Sequence, residues 1–160
     1  MLRRLREIPR ETCPSIRHAG CDVVGMSAAT TAETLNRLTS TILEAAIRIH
    51  RTLGPGLLES AYLACLTYEL TSAHLRIEAQ KAVPLVYRGV RIECAYRADL
   101  VIEGSVLVEV KALDAVALIH SRQLHTYLRL GGYPVGLLLN FGAPTMKEGI
   151  RRIVNGFPEA

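Results

Sequence analysis

The sequence predicts an α/β protein, a mixed β-sheet flanked by helices, on three observations. Apolar residues recur at helical spacing in two segments before residue 75. A block from Val83 to Val110 is rich in β-branched residues and broken by short turn signals. The remainder then alternates a helical segment, an apolar strand and a last helical segment, an order that encloses a sheet between helices. At 160 residues the chain fits one domain, large enough to bury a core without disulfides.

Each element has its own signal. Thr30 with Glu33 has the form of a capping box, and Leu35, Leu38, Ile42, Ala46 and Ile49 follow at helical spacing until Leu53-Gly54-Pro55 stops the helix. A second helix follows Gly56, with Leu57, Leu58, Ala61, Cys65, Leu66 and Leu70 as its apolar face, ending near His74. Val83–Tyr87 and Val90–Tyr96 flank Arg88-Gly89, a two-residue hairpin turn, and Ala98–Ile102 pairs with Val106–Val110 across Glu103-Gly104-Ser105. Ala117–Leu130 reads as a helix closed by Gly131-Gly132, Val135–Leu139 as a buried strand, and Thr145–Val154 as a short terminal helix.

Residues 1–28 read as a flexible leader, with arginines, prolines and cysteines in no period, and residues 29–157 as the folded domain. Met26 is an alternative start. The formal charge is +4, of which residues 1–25 carry +2, from five arginines against three acids. A domain that near neutrality gives no case for nucleic acid from bulk charge, so any such case rests on a site. Cys13, Cys21, Cys65 and Cys94 include no CxxC pair and no zinc spacing, and Cys65 and Cys94 read as buried free thiols of a reducing compartment. No apolar run approaches the ~18 residues of a membrane span, and the expected location is the cytoplasm.

Three ionisable residues stand where the strands should be apolar. Asp99 directly precedes Leu100-Val101-Ile102, and Val106-Leu107-Val108 directly precedes Glu109-Val110-Lys111. Strand alternation puts Glu109 and Lys111 on one face and Val108 and Val110 on the other. An unpaired carboxylate buried there costs several kcal/mol, so these groups compensate one another or hold a cation. Two acids and a lysine meeting at one point suit a divalent-metal site, with Asp99, Glu109 and the carbonyl of Val110 as oxygen ligands.

Four elements in order, Gly56-x-x-Glu59-x-x-Tyr62, Arg97-Ala98-Asp99, Glu109-Val110-Lys111 and Gln123-Leu124-x-x-Tyr127-Leu128, resemble the GxxExxY family of the PD-(D/E)XK nuclease superfamily. The resemblance runs from about Leu35 to Gly156, with Ala98 where the superfamily's name has proline. It implies a restriction-endonuclease-like core and a metal-dependent nuclease hydrolysing phosphodiester bonds, with DNA as the expected substrate and Mg²⁺ or Mn²⁺ as cofactor. It also implies catalytic roles for Asp99, Glu109, Lys111 and Glu59, with Lys111 orienting the attacking water and Glu59 joining Asp99, Glu109 and Val110 at the metal. Gln123 and Tyr127, four apart on one helix face, are expected to touch the nucleic acid, with Tyr62 as a further contact or a core residue. His120 lies on the Gln123 side, where it could contact phosphate but reads first as a surface histidine, and His125 lies off that face without a role. No cysteine follows Cys94, so an iron–sulfur cluster is not expected. Two rival readings remain: a catalytically idle module that keeps the fold and binds nucleic acid or a partner, and a protein whose buried charges serve structure alone. The intact Asp99, Glu109 and Lys111 tell against the first.

Overall fold

The computed structural model describes residues 17–18 and 31–158. The leader expected over residues 1–28 lies outside the described residues except for Arg17–His18, and the expected capping threonine, Thr30, lies outside them too. The cap falls one residue later. Thr31 Oγ1 accepts from Thr34 N–H at 3.2 Å, and helix α1 runs Ala32–Leu53 with Leu35, Leu38, Ile42, Ala46 and Ile49 buried. Gly54, at φ 68°, ends it with its N–H on the His50 carbonyl at 2.8 Å, a left-handed conformation that glycine adopts without strain.

Helix α2 spans Glu59–Ser72 and buries Tyr62, Leu66 and Leu70. Leu57 and Leu58, expected on its apolar face, precede the helix and are exposed. The sheet is a mixed one of six strands: β1 (Arg17–His18), β2 (Ile77–Tyr87), β3 (Val90–Ile102), β4 (Val106–Lys111), β5 (Val135–Asn140) and β6 (Ile150–Val154). β3 pairs antiparallel with β2 and β4, and also with β1 through Arg17↔Arg91 and His18↔Val90. β4 and β5 run parallel, joined through helix α3 (Leu118–Gly131), and β6 returns antiparallel to β5.

Two departures from the expected elements have physical causes. The two segments expected around residues 90–102 form one strand of 13 residues, because Arg97 continues the alternation at an exposed position instead of breaking it. The expected terminal helix is a single turn, α4 (Met146–Gly149), followed by β6. A Cβ on Gly149 would meet the Asn140 carbonyl oxygen at 2.2 Å, so the backbones pack too closely there for any larger residue, and the β-branched Ile150, Ile153 and Val154 suit an edge strand. Cys94, expected buried, is exposed, while Cys65 is half-buried.

Two cores lie on the two faces of the sheet. Val106, Val108 and Val110 pack with Leu35, Ile42 and Leu66 under α1 and α2. Leu107 and Leu138 pack with Leu124 and Leu128 under α3. Gly136 on β5 admits α3 to close range, since a Cβ there would lie 2.9 Å from Leu124. That approach brings the polar face of α3 over the C-terminal end of β4.

Candidate active site

The β3–β4 ladder pairs Leu100 with Val108 and ends there. One further step in the same register sets Asp99 opposite Glu109, and opposed residues of an antiparallel pair share a face. A side chain replaces the main chain at this point: Asp99 Oδ2 accepts from Val110 N–H at 2.9 Å. Because the N–H and C=O of one residue in an extended strand point to the same side, the Val110 carbonyl looks toward the same gap. Asp99 Oδ1 accepts from Gln80 Nε2 at 3.2 Å. Gln80 is held at φ 50°, a strained conformation for a non-glycine residue, and the Arg97 guanidinium donates to its carbonyl at 2.9 Å.

Glu109 sits deeper, its side chain 12% exposed, and its Oε1 is buried without a hydrogen-bond partner. Burial pushes its carboxyl up to about 7, the Asp99 charge adds to the rise, and Lys111 opposes it. Lys111 Nζ lies 3.9 Å from Glu109 Oε2 and 3.7 Å from Glu59 Oε2, attracted by both and hydrogen-bonded to neither. An orphaned buried carboxylate oxygen, a second carboxylate and a carbonyl facing the same gap form a donor set that fits a hard cation such as Mg²⁺.

Glu59 stands beside the lysine: its Oε1 accepts from Ala112 N–H at 3.3 Å while its Oε2 lies 3.7 Å from Lys111 Nζ. It anchors the end of β4 from the first turn of α2.

The face of α3 supplies the opposite wall of a cleft of about 100 Å³, where Gln123 and Tyr127 stand across from Glu109 and Lys111. Tyr127 stacks on Tyr96 of β3, ring centroids 3.5 Å apart and planes 8° from parallel, and the Tyr96 hydroxyl donates to the Tyr127 carbonyl at 3.4 Å. Burial raises the pKa of both phenols. The Tyr133 charge is the next cause for Tyr96, and the Glu109 charge is the next for Tyr127. His120 is half-buried, not fully at the surface: it lines the same cleft, and its Nδ1 is buried without a partner.

Tyr62 is not a nucleic-acid contact. It is fully buried and stacked on Phe141 at 4.5 Å, its hydroxyl donating to the Gly54 carbonyl at 2.6 Å and accepting from Leu57 N–H at 3.1 Å. It fastens the Gly54-Pro55-Gly56 loop that delivers Glu59. Tyr62→Phe strands two backbone groups, so it is expected to cost about 1–3 kcal/mol of stability in denaturant melts with the KM for an oligonucleotide unchanged. A raised KM at unaltered stability would return Tyr62 to the binding surface.

Three positioning residues escaped the sequence: Gln80, Tyr96 and Asn140. Asn140 is buried, its Oδ1 accepting from Leu113 N–H and its Nδ2 donating to the Leu113 carbonyl, both at 2.8 Å. It thereby fixes the chain between Lys111 and α3. Tyr96 had the one available signal, its place directly before Arg97-Ala98-Asp99.

A mixed sheet clothed by helices, with two acids and a lysine meeting at the ends of adjacent strands, defines an α/β protein with a cleft suited to phosphate chemistry. The family model of the PD-(D/E)XK nuclease superfamily matches residues 36–153, and the chain belongs to that superfamily. Among solved structures, one titled "Crystal structure of SSO0001" is similar at 20% identity, covering 86% of this chain and 72% of that one, with a TM-score of 0.39. No curated protein matches the chain significantly.

Proposed function

We propose that this chain is a metal-dependent nuclease that hydrolyses phosphodiester bonds, with DNA as its substrate. The observation that carries the reading is the Asp99 carboxylate, bonded to the Val110 amide and close enough to Glu109 to raise its pKa, with Glu109 Oε1 buried and unpartnered beside the loosely held Lys111 ammonium. Asp99, Glu109 and the Val110 carbonyl would hold Mg²⁺ or Mn²⁺. A bound ion of that kind polarises a phosphate and lowers the pKa of an attacking water. Lys111 orients that water by donating to it and offsets charge developing on the phosphate. Gln123 and Tyr127 bind the strand from the opposite wall, Tyr127 kept upright by Tyr96. Glu59 keeps Lys111 at the mouth of the site through its 3.7 Å approach.

We place the chain in the GxxExxY branch, because each of the three motif residues has work at one junction. Gly56 takes a φ of 113°, Tyr62 grips the loop and Glu59 reaches Lys111. Among the described residues no helix is long and apolar enough to cross a membrane, in keeping with the cytoplasmic location we propose.

The test is a cleavage assay on single- and double-stranded DNA and RNA with Mg²⁺ or Mn²⁺, wild type beside Asp99→Ala. Metal-dependent cleavage of DNA by the wild type, lost in the variant, is the expected result. A wild type that binds neither ion and cleaves none of the substrates would sink the proposal.

A further inference from the structure

We propose that His120 is a substrate-binding residue, contacting a phosphate oxygen of the strand held in the cleft. The inference rests on the nuclease reading and adds a residue to it. His120, Gln123 and Tyr127 follow one another at helical spacing along the face of α3 that lines the cleft, about 10 Å from first to last at 1.5 Å per residue. Against them stand Glu109 and Lys111, so His120 shares its cleft with the acids proposed to hold the ion and with the lysine.

The state of the imidazole separates a binding role from a structural one. Buried histidines that serve the fold spend their ring nitrogens on neighbours, as His50 does here, its Nε2 lying 3.0 Å from the Ala143 carbonyl. His120 Nδ1 is cut off from water and bonded to no protein group, so the ring is not tied down by its neighbours and is free to turn toward a ligand that brings a hydrogen-bonding group into the cleft it lines. The ligand's chemistry follows from the walls. Lys111 and Gln123 are donors, and an imidazole is a donor through at least one nitrogen in either charge state. Three donors around one small cleft suit the non-bridging oxygens of a phosphodiester. The exposed His125, on the same helix but outside the cleft, serves as the control.

The test measures steady-state cleavage of a fluorescent DNA oligonucleotide with Mn²⁺, and its binding by anisotropy, for wild type, His120→Ala, His120→Gln and His125→Ala. His120→Ala is expected to raise both KM and Kd about tenfold or more, with kcat changed much less. His120→Gln, which keeps a donor, recovers most of the loss, and His125→Ala behaves as wild type. Thermal melts and calorimetric Mn²⁺ titration of each variant should match the wild type, because the imidazole gives its free nitrogen to no protein group and binds no ion. Unchanged KM and Kd in both His120 variants, with the wild type active, would overturn this inference and leave the nuclease reading standing. Loss of Mn²⁺ binding in His120→Ala would also overturn it. If His120→Ala fails to fold, His120→Leu, of similar bulk and without a donor, takes its place, and unchanged KM and Kd in it at normal stability would overturn the inference. A wild type that neither binds nor cleaves the oligonucleotide overturns both readings together.

Discussion

Glu109→Gln is expected to impair cleavage severely and, at pH 8 without metal, to make the protein more stable than wild type. The two effects share one cause. The Glu109 carboxyl, ordinarily near 4.5, is pushed up to about 7 by burial and then by the Asp99 charge. Below about pH 4.5 it is protonated in both folded and unfolded chains, and the stability associated with the buried neutral form is fully present. Between there and pH 7 the folded chain keeps a proton that the unfolded chain has released, so stability falls as pH rises. At about 1.4 kcal/mol per pH unit the loss reaches about 3 kcal/mol once pH passes the folded value. Glutamine carries no charge at any pH and removes that slope. The melting temperature of the variant at pH 8 should exceed the wild type's by roughly 5–10 °C, and the two should converge near pH 5. Mn²⁺ is expected to raise the wild type's melting temperature at pH 8 and to leave the variant's almost unmoved. Cleavage should fall by on the order of 10² or more, since each decade corresponds to about 1.4 kcal/mol and a lost ligand forfeits several. A wild-type melting temperature flat from pH 5 to 8, or a glutamine variant less stable at pH 8, would remove Glu109 from the account.

Lys111→Ala separates catalysis from compensation. The ammonium lies 3.7 and 3.9 Å from the Glu59 and Glu109 oxygens, too far for a hydrogen bond to either, so it remains free to donate to a water. Its removal should cut turnover by on the order of 10² or more, because a donor aimed at developing charge is lost. Metal affinity should persist or tighten, since the site sheds a positive charge. The metal-free fold should become less stable at pH 8, where Glu59 and Glu109 lose their shared counter-charge. Calorimetric Mn²⁺ titration beside the cleavage assay reads both arms. Undiminished turnover would show that the lysine only balances the acids.

The legible parts of this protein are those governed by near neighbours in sequence. Alternation along Val106–Lys111 was enough to put Glu109 and Lys111 on one face, because strand geometry is set within a few residues. The Arg88-Gly89 turn was equally readable: both residues take positive φ, as a two-residue hairpin requires. What escaped depends on distant packing. Nothing near Gln80 announces that it meets Asp99, 19 residues away, and the bond from Asn140 to Leu113 spans 27. Residues 145–154 misled for a related reason, since a run of isoleucines and arginines fits a helix face or an edge strand, and only the presence of β5 decides between them. Tyr62 shows a third kind of opacity. A tyrosine three residues from a glutamate has the same spacing whether its hydroxyl grips a loop or reaches a ligand.

The hydrogen bond that closes the β3–β4 ladder has one more consequence. Asp99 stands in for a main-chain acceptor where the two strands part, so the Val110 amide proton is bonded to the very carboxylate proposed to hold the ion. That proton is a reporter already installed in the sheet. Its deuterium exchange follows how firmly Asp99 is seated, and its chemical shift follows the charge drawn from that oxygen, so one backbone resonance makes the site visible without substrate or substitution.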